Sequence, residues 1–400
     1  MSERYDVLVV GGGLLGCLTA WMAARDGARV LLAEKDQVNQ HASGQNAGSL
    51  HFQLEYRMVE DGEEAARVAA EAMPLHLDAA AMWARLEDEI GESLGVRQTG
   101  GLMVAENADQ VGTLEFKAEL ERSWGLDVRT LDRAELDTVA PYLSRDIVAA
   151  NLSALEGKAD ARIAAPAVGR AAVAAGAEVC TRSRLTAAEH GTAGWDITLQ
   201  ITDRTGRARA RRVRAGAVVI AAGVWTTELG QVFGAELPTV PLALTMTVTS
   251  KVPALIPHLV QHAGARLSLK QSLDNTVLIG GGWPARLMRD ADGAPQFDRK
   301  HQLIPQSVAG NARAAVTTVP ALDRVPAVRS WVGTTTVAPD QLPLVGAVNG
   351  APGVFVATGG SAFTLGPSFA RVLTGLIGGR PPDIDLAPYA PARFAEGSTP

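Results

Sequence analysis

The sequence predicts an α/β protein with two interleaved domains, one on a parallel sheet and the other, of α+β type, on a mixed, largely antiparallel sheet. Three observations predict it. An apolar run, Val7 to Val10, ends on glycines and leads through an uncharged, Ala-rich segment to a second apolar run, Arg29 to Ala33. Strand-to-glycine patterns return at Ala217 to Trp225 and at Gly353 to Gly359. Other stretches alternate at period two, as in Arg266 to Gln271, and read as half-buried strands.

Val7 to Val10 has the length and β-branched content of a strand buried on both faces. Gly11, Gly13 and Gly16 follow at the spacing G-x-G-x-x-G, with Leu14 and Leu15 opening a helix. The first glycine allows the tight turn, the second lets backbone approach a pyrophosphate at the helix N-terminus, and the third lets helix and strand pack closely. Glu34 ends the second strand, about 20 residues on, where a carboxylate can accept both hydroxyls of an adenosine ribose and disfavours a 2′-phosphate. Alone the glycines would suit an empty turn. The ordered set of strand, glycines, helix, second strand and acid predicts a Rossmann-like dinucleotide site, without choosing between NAD and FAD.

Four hundred residues suggest about two domains. The net charge of −6 offers no basic face for nucleic acid. Cys17 and Cys180 are the only cysteines, which excludes a disulfide framework or a cysteine-rich metal or iron-sulfur site in this chain and fits a reducing cytoplasm. Val7 to Ala24 carries no charge, yet its glycines sit where a nucleotide turn needs them, and Ser2 to Asp6 lacks the basic character of an export leader. A soluble chain with no transmembrane segment and no metal is expected.

Past Glu34 and Lys35 runs a long connection of small and polar residues to His51. A fingerprint ending in Glu-Lys and followed by Ala42-Ser-Gly-x-Asn-Ala-Gly48 resembles the D-amino acid oxidase-like family of FAD-dependent amine oxidoreductases. The resemblance implies FAD, a binding domain of the glutathione-reductase/D-amino acid oxidase type, and cofactor contacts from Lys35, Ser43, Gly44, Asn46, Ala47, Gly48 and Ser49. It also implies a backbone contact to adenine near Val179, closure of the site by Ala222, Gly223 and Trp225, and a last flavin loop at Gly359, Gly360, Ser361, Ala362, Phe363 and Thr364. A helix opening near Gly366 would stabilise negative charge on the reduced ring.

The remaining elements follow in order. Residues 62–91 predict one or two helices, with His76 exposed or packed; 99–105 a strand, 108–124 an amphipathic helix, and 131–136 a short helix. Ile163 to Ala175 reads as an Ala-rich helix, and Trp195 to Val213 as antiparallel strands around a turn at Arg204-Thr-Gly206. Residues 241–251 and 266–283 are strand-rich, and Gly280 to Gly282 suits a turn or close approach to the flavin. The expected division is a FAD-binding domain of residues 1–85, 150–235 and 325–400 and a substrate-binding domain of 86–149 and 236–324.

Asn46 to His51, Glu156-Gly-Lys-Ala-Asp160, Ser268 to Gln271 and Val277 to Trp283 look like the catalytic subunit of heteromeric opine oxidases and related proline or hydroxyproline dehydrogenases. That resemblance implies oxidation of a secondary amine or amino acid, with electrons passed to partner subunits carrying a second flavin and an iron-sulfur centre. In glycine oxidase-like members an arginine after Trp-x-Gly pairs with the substrate carboxylate, but Gly333 is followed here by Thr334, Thr335 and Thr336. The chemistry needs a neutral amine, its Cα–H aimed at flavin N5, and an imine product that water hydrolyses. His51 is the candidate for the ammonium proton, or a hydrogen-bonding loop residue at the flavin edge. Lys270 is either a ligand for a carboxylate or a flavin-linked water, or an exposed strand lysine. The competing readings are a stand-alone oxygen-using oxidase and a non-catalytic FAD-containing assembly subunit.

Overall fold

The computed structural model describes residues 3–395. The strand Glu3–Val10 lies inside an eight-stranded sheet, paired in parallel with Val30–Ala33 on one side and Ala208–Ile220 on the other. Glu178–Cys180 extends the sheet beyond Val30–Ala33, and Val354–Thr358 then Leu344–Ala347 extend it beyond Ala208–Ile220. Val7 and Val9 pack into a core shared with the helices Leu14–Arg25, Ala164–Ala174 and Gly366–Ile377, while Leu8 and Val10 enter a second core with Trp195, Phe233 and Leu237. Successive strand residues point to opposite faces, so covering both faces requires the uninterrupted apolar run. Each such side chain contributes about 1.5–3 kcal/mol when fully buried.

The uncharged segment is a core helix. Leu14 to Ala24 are all buried, and among the described residues no helix is long and apolar enough to cross a membrane. The hairpin expected around Arg204-Thr-Gly206 forms, with Trp195 opposite Ala215 and Thr202 opposite Ala208.

The second sheet also has eight strands. From one edge they are Ala327–Val337, Val240–Lys251, Thr276–Gly280, Ser268–Gln271, Leu259–His262, Gly101–Ala105, Ala149–Ser153 and Arg129–Asp132. Only Leu259–His262 and Gly101–Ala105 run parallel. Strand pairing therefore keeps Ala149–Ser153 and Ala327–Val337 in the second sheet, beyond the turning points expected at 150 and 325. Local alternation specifies a half-buried strand but not which sheet it joins. The first residues of the outermost pieces, 1–2, and the last, 396–400, lie outside the described residues.

One local expectation holds and another shifts. Residues 62–91 form two helices, Glu63–Ala70 and Met73–Ile90, and His76 is packed, buried in the second. The short helix expected over 131–136 is instead a strand, Arg129–Asp132, followed by Arg133–Val139. Asp132 Oδ1 accepts from Glu135 N at 2.8 Å and Glu135 Oε2 accepts from Asp132 N at 3.1 Å. This reciprocal capping places the helix start after Asp132.

Candidate active site

A cavity of about 400 Å³ lies between the two sheets, within the ordinary range for ligand sites. At one end it meets the glycine turn. Gly11 has φ +115°, and a Cβ there would lie 2.3 Å from Ala221 O, whereas a Cβ on Gly16 would lie 1.9 Å from Gly11 O. These two glycines permit the backbone crossings. Gly13 differs: its φ of −76° suits any residue, and a Cβ would meet only Ser43, at 2.8 Å from Oγ. Its missing side chain keeps the cavity wall low where helix Leu14–Arg25 begins without a side-chain cap. First-turn N–H groups have no partner within their helix, so this surface suits an anion.

Glu34 is buried, with Oε2 accepting from Gly12 N at 2.6 Å and Oε1 from Asp36 N at 2.8 Å. Two backbone donors orient the carboxylate beside the glycine turn and leave it lone pairs for ribose hydroxyls. The residues present thus fit the adenosine diphosphate half of FAD. Lys35 Nζ lies 4.3 Å from the Trp225 ring centroid, and the rings of His41 and Phe297 meet Trp225 at 4.7 and 5.6 Å. Asp298 holds Lys35 at 2.5 Å and Arg184 at 3.0 Å, so an arm of the chain after the second sheet's Thr276–Gly280 clasps this end. Glu34, Asp36 and His41 bring ligand atoms within 4.8 Å of one another; His41 is already bonded to Asp36 at 2.7 Å.

The middle and far end are lined by Asn46, Ala47 and Ser49, by Ala222 and Gly223, and by the whole run Gly359 to Thr364. Trp331 Nε1 donates to Gln45 O at 2.8 Å, so the second sheet fixes the loop that forms this wall. Gly280 to Gly282 and Thr334 to Thr336 also line it.

Six expected residues lie off the cavity. Leu14 and Gly16 are inside the helix, though Leu14 N donates to Ser43 Oγ at 2.9 Å. Gly44 and Gly48 serve backbone crossings, where a Cβ would fall 2.1 Å from Asn39 O and 2.3 Å from Ala159 O. Val179 pairs with Leu32 in the sheet, and Ser183, Arg184 and Leu185 line the cavity in its stead, because the strand ends at Cys180 and the chain turns at Arg182, φ +52°, before reaching it.

Lys270 is the sixth. It is buried, not exposed, and its Nζ donates to Ala159 O at 2.8 Å. Its strand lies inside the second sheet, and the turn at Gly48 stands next to the ammonium group, since a Cβ on Gly48 would fall 3.0 Å from Nζ. Burial, reinforced by the charge of Lys158, pushes its pKa down to about 7.

His51 does line the cavity. Its Nε2 lies 3.0 Å from Ser268 Oγ; its Nδ1 is buried without a hydrogen-bond partner, 4.0 Å from Glu156 Oε1. Behind it, Glu156 accepts from Phe52 N at 2.9 Å, Gln53 N at 3.0 Å and Gln53 Nε2 at 2.9 Å. Gln53 Oε1 accepts from Lys117 Nζ at 2.9 Å, and Glu121 takes both Lys117 at 2.8 Å and Leu54 N at 2.6 Å. This buried network fixes the backbone that carries His51. Desolvation drives the neighbouring His76 down to about 4, whereas at Glu55 burial is outweighed by Arg57, His51 and Ser361, which lower it to about 2.

Sequence reasoning did not single out Lys117, Glu121, Arg57 or Arg266. The first two sit at helical i,i+4 spacing, an ordinary surface pair in sequence, and both are fully buried. Arg57 and Arg266 line the cavity; Arg57 stands in no motif, and Arg266 was read only as the start of an alternating strand.

The family model described as "FAD dependent oxidoreductase" matches residues 6–376. Glycine oxidase of Geobacillus kaustophilus is 27% identical over 98% of this chain and 98% of its own length. Glycine oxidase of Pseudomonas aeruginosa is 28% identical, covering 98% and 99%. Mitochondrial sarcosine dehydrogenase of Mus musculus is 24% identical over 100% of this chain but only 42% of its own length, so the chain spans less than half of that relative. The crystal structure of L-proline dehydrogenase from P. horikoshii shares the fold, with TM-score 0.83 at 20% identity and full coverage of both chains.

Proposed function

The chain belongs to the FAD-dependent oxidoreductases, and we propose that it oxidises a secondary amine or an amino or imino acid of the opine, proline or hydroxyproline class, as the catalytic subunit of a larger assembly. The observation that carries the amine chemistry is the His51–Ser268 pair in a cavity whose other end fits the FAD diphosphate. FAD, when bound, supplies the hydride acceptor. Gly11 to Gly13, Glu34, Lys35 and Ser43 would hold its adenosine diphosphate, and Asn46 to Ser49 with Gly359 to Thr364 its ring. His51 takes the substrate's ammonium proton at Nε2, whose partner Ser268 Oγ can donate or accept as the imidazole changes state. Leu244 and Met246 supply apolar wall and keep water from the reacting carbon.

The subunit role is supported by the resemblance of Asn46 to His51, Glu156 to Asp160 and Val277 to Trp283, and by the two free cysteines, which leave any iron-sulfur centre to a partner chain in a reducing cytoplasm. A second reading, a stand-alone oxidase, is favoured by the glycine oxidases that match end to end. An anaerobic screen of opines, proline, hydroxyprolines, sarcosine and D-amino acids, followed by flavin absorbance, tests the amine chemistry. Bleaching with poor oxygen turnover supports the subunit reading; peroxide release at the full rate supports the oxidase; no bleaching by any amine overturns both.

A further inference from the structure

Thr335 carries no charge, and three guanidinium groups line the cavity, of which Arg184 is held by Asp298 at 3.0 Å, leaving Arg57 and Arg266. They are held differently. Arg57 Nη2 donates to Glu55 Oε1 and to Ser361 Oγ, both at 3.2 Å, and Nη1 approaches Gln341 Oε1 at 3.4 Å. It is tied into the wall, and its charge is spent on Glu55, whose pKa it helps hold low. Arg266 has one firm bond, Nη1 to Gly282 O at 3.0 Å, and one loose one, Nη2 to Glu60 Oε2 at 3.5 Å. A guanidinium carries five N–H donors, so most of its donor edge is open. Its side chain is 43% exposed and Glu60's 24%, which places this pair at the mouth of the cavity.

Arg266 is two residues before Ser268, the partner of His51. Two residues span at most about 7 Å of chain. Arg266, Ser268 and His51 all line the cavity, so a ligand whose carboxylate is held by the guanidinium lies in the same chamber as the His51–Ser268 pair.

Resting on the amine-oxidising reading above, we propose that Arg266 is the specificity residue that binds the substrate carboxylate, displacing Glu60 as its resident counter-ion. Glu60 acts as a placeholder: it keeps the guanidinium oriented when no substrate is present, and its weak, solvent-screened contact yields to a carboxylate that can form two charge-assisted bonds.

The test uses the FAD-loaded protein and two ether carboxylates that have no oxidisable amine, methoxyacetate and tetrahydrofuran-2-carboxylate. Binding is read by calorimetry and by the change in flavin absorbance, with tetrahydrofuran-2-methanol as the uncharged comparator. The wild type should prefer the carboxylates to the alcohol. Arg266→Ala should weaken carboxylate binding by about 10- to 100-fold and leave the alcohol unaffected, Arg266→Lys should recover part of the loss, and Glu60→Gln should tighten carboxylate binding. Absence of carboxylate preference in the wild type, or loss of it in Arg57→Lys with retention in Arg266→Ala, overturns the proposal. Arg266-dependent binding in a protein that no amine can bleach would sustain the site and reject the amine-oxidising function.

Discussion

His51 Nε2 and Ser268 Oγ meet at 3.0 Å across 217 residues of sequence, one from the loop that follows the nucleotide fold and the other from the second sheet. The contact ties that loop to the second sheet at the cavity wall. His51→Ala is expected to slow anaerobic flavin reduction by about 10²- to 10⁴-fold near neutral pH, the range for a positioned acid-base group. The loss should shrink as pH rises, because more of the amine is already neutral. Ser268→Ala removes one neutral hydrogen bond and should slow the step by about tenfold or less. Stopped-flow bleaching across pH measures both; an unchanged rate in His51→Ala with full FAD content would assign that residue to structure.

Cofactor retention is expected to depend on Gly13. A Cβ there already crowds Ser43 Oγ at 2.8 Å, and a valine would place two more carbons on the wall that the diphosphate approaches. Gly13→Val should purify folded and largely without FAD, by absorbance and by circular dichroism. A fully loaded Gly13→Val protein would contradict the diphosphate assignment.

Lys117 and Glu121 form a fully buried pair at 2.8 Å. Removing one partner leaves an uncompensated charge, and Lys117→Met is expected to lower stability by about 3–5 kcal/mol in urea denaturation. The double change Lys117→Met with Glu121→Leu should recover much of that loss, since two apolar groups need no partner. Equal destabilisation by the single and double changes would show that the bonds to Gln53 Oε1 and Leu54 N, not the charge balance, dominate.

Lys270 gives the protein a pH dependence of known sign. Burial lowers its folded pKa to about 7, against about 10.4 in an unfolded chain. Between those values the unfolded state binds more protons, so this group makes stability rise with pH across the window from about 7 to about 10.4. Denaturation of wild type and Lys270→Met at pH 7 and pH 10 should show wild type gaining on the variant as pH rises. A constant difference would mean that Lys270 keeps its proton throughout.

The sequence by itself determined the nucleotide-binding half, because its constraints are local. A strand buried on both faces must be apolar throughout, the glycine turn allows no Cβ at Gly11 or Gly16, and the ribose acid must end the next strand, so all appear within Tyr5 to Glu34. Gly359 to Thr364, which the family resemblance marked as a flavin loop, lines the cavity. Tertiary structure alone decided what lies opposite the cofactor. The alternation of Arg266, Ser268 and Lys270 was visible, but only the burial of their strand and the turn at Gly48 separate Lys270 from the cavity that Ser268 reaches. Strand patterning fixes which residues share a face, and it carries no information about which distant segment packs against that face. The register of Ala327–Val337 against Val240–Lys251, the burial of Lys117 with Glu121, and the looseness of Arg266 beside Glu60 arise from contacts between segments far apart in sequence.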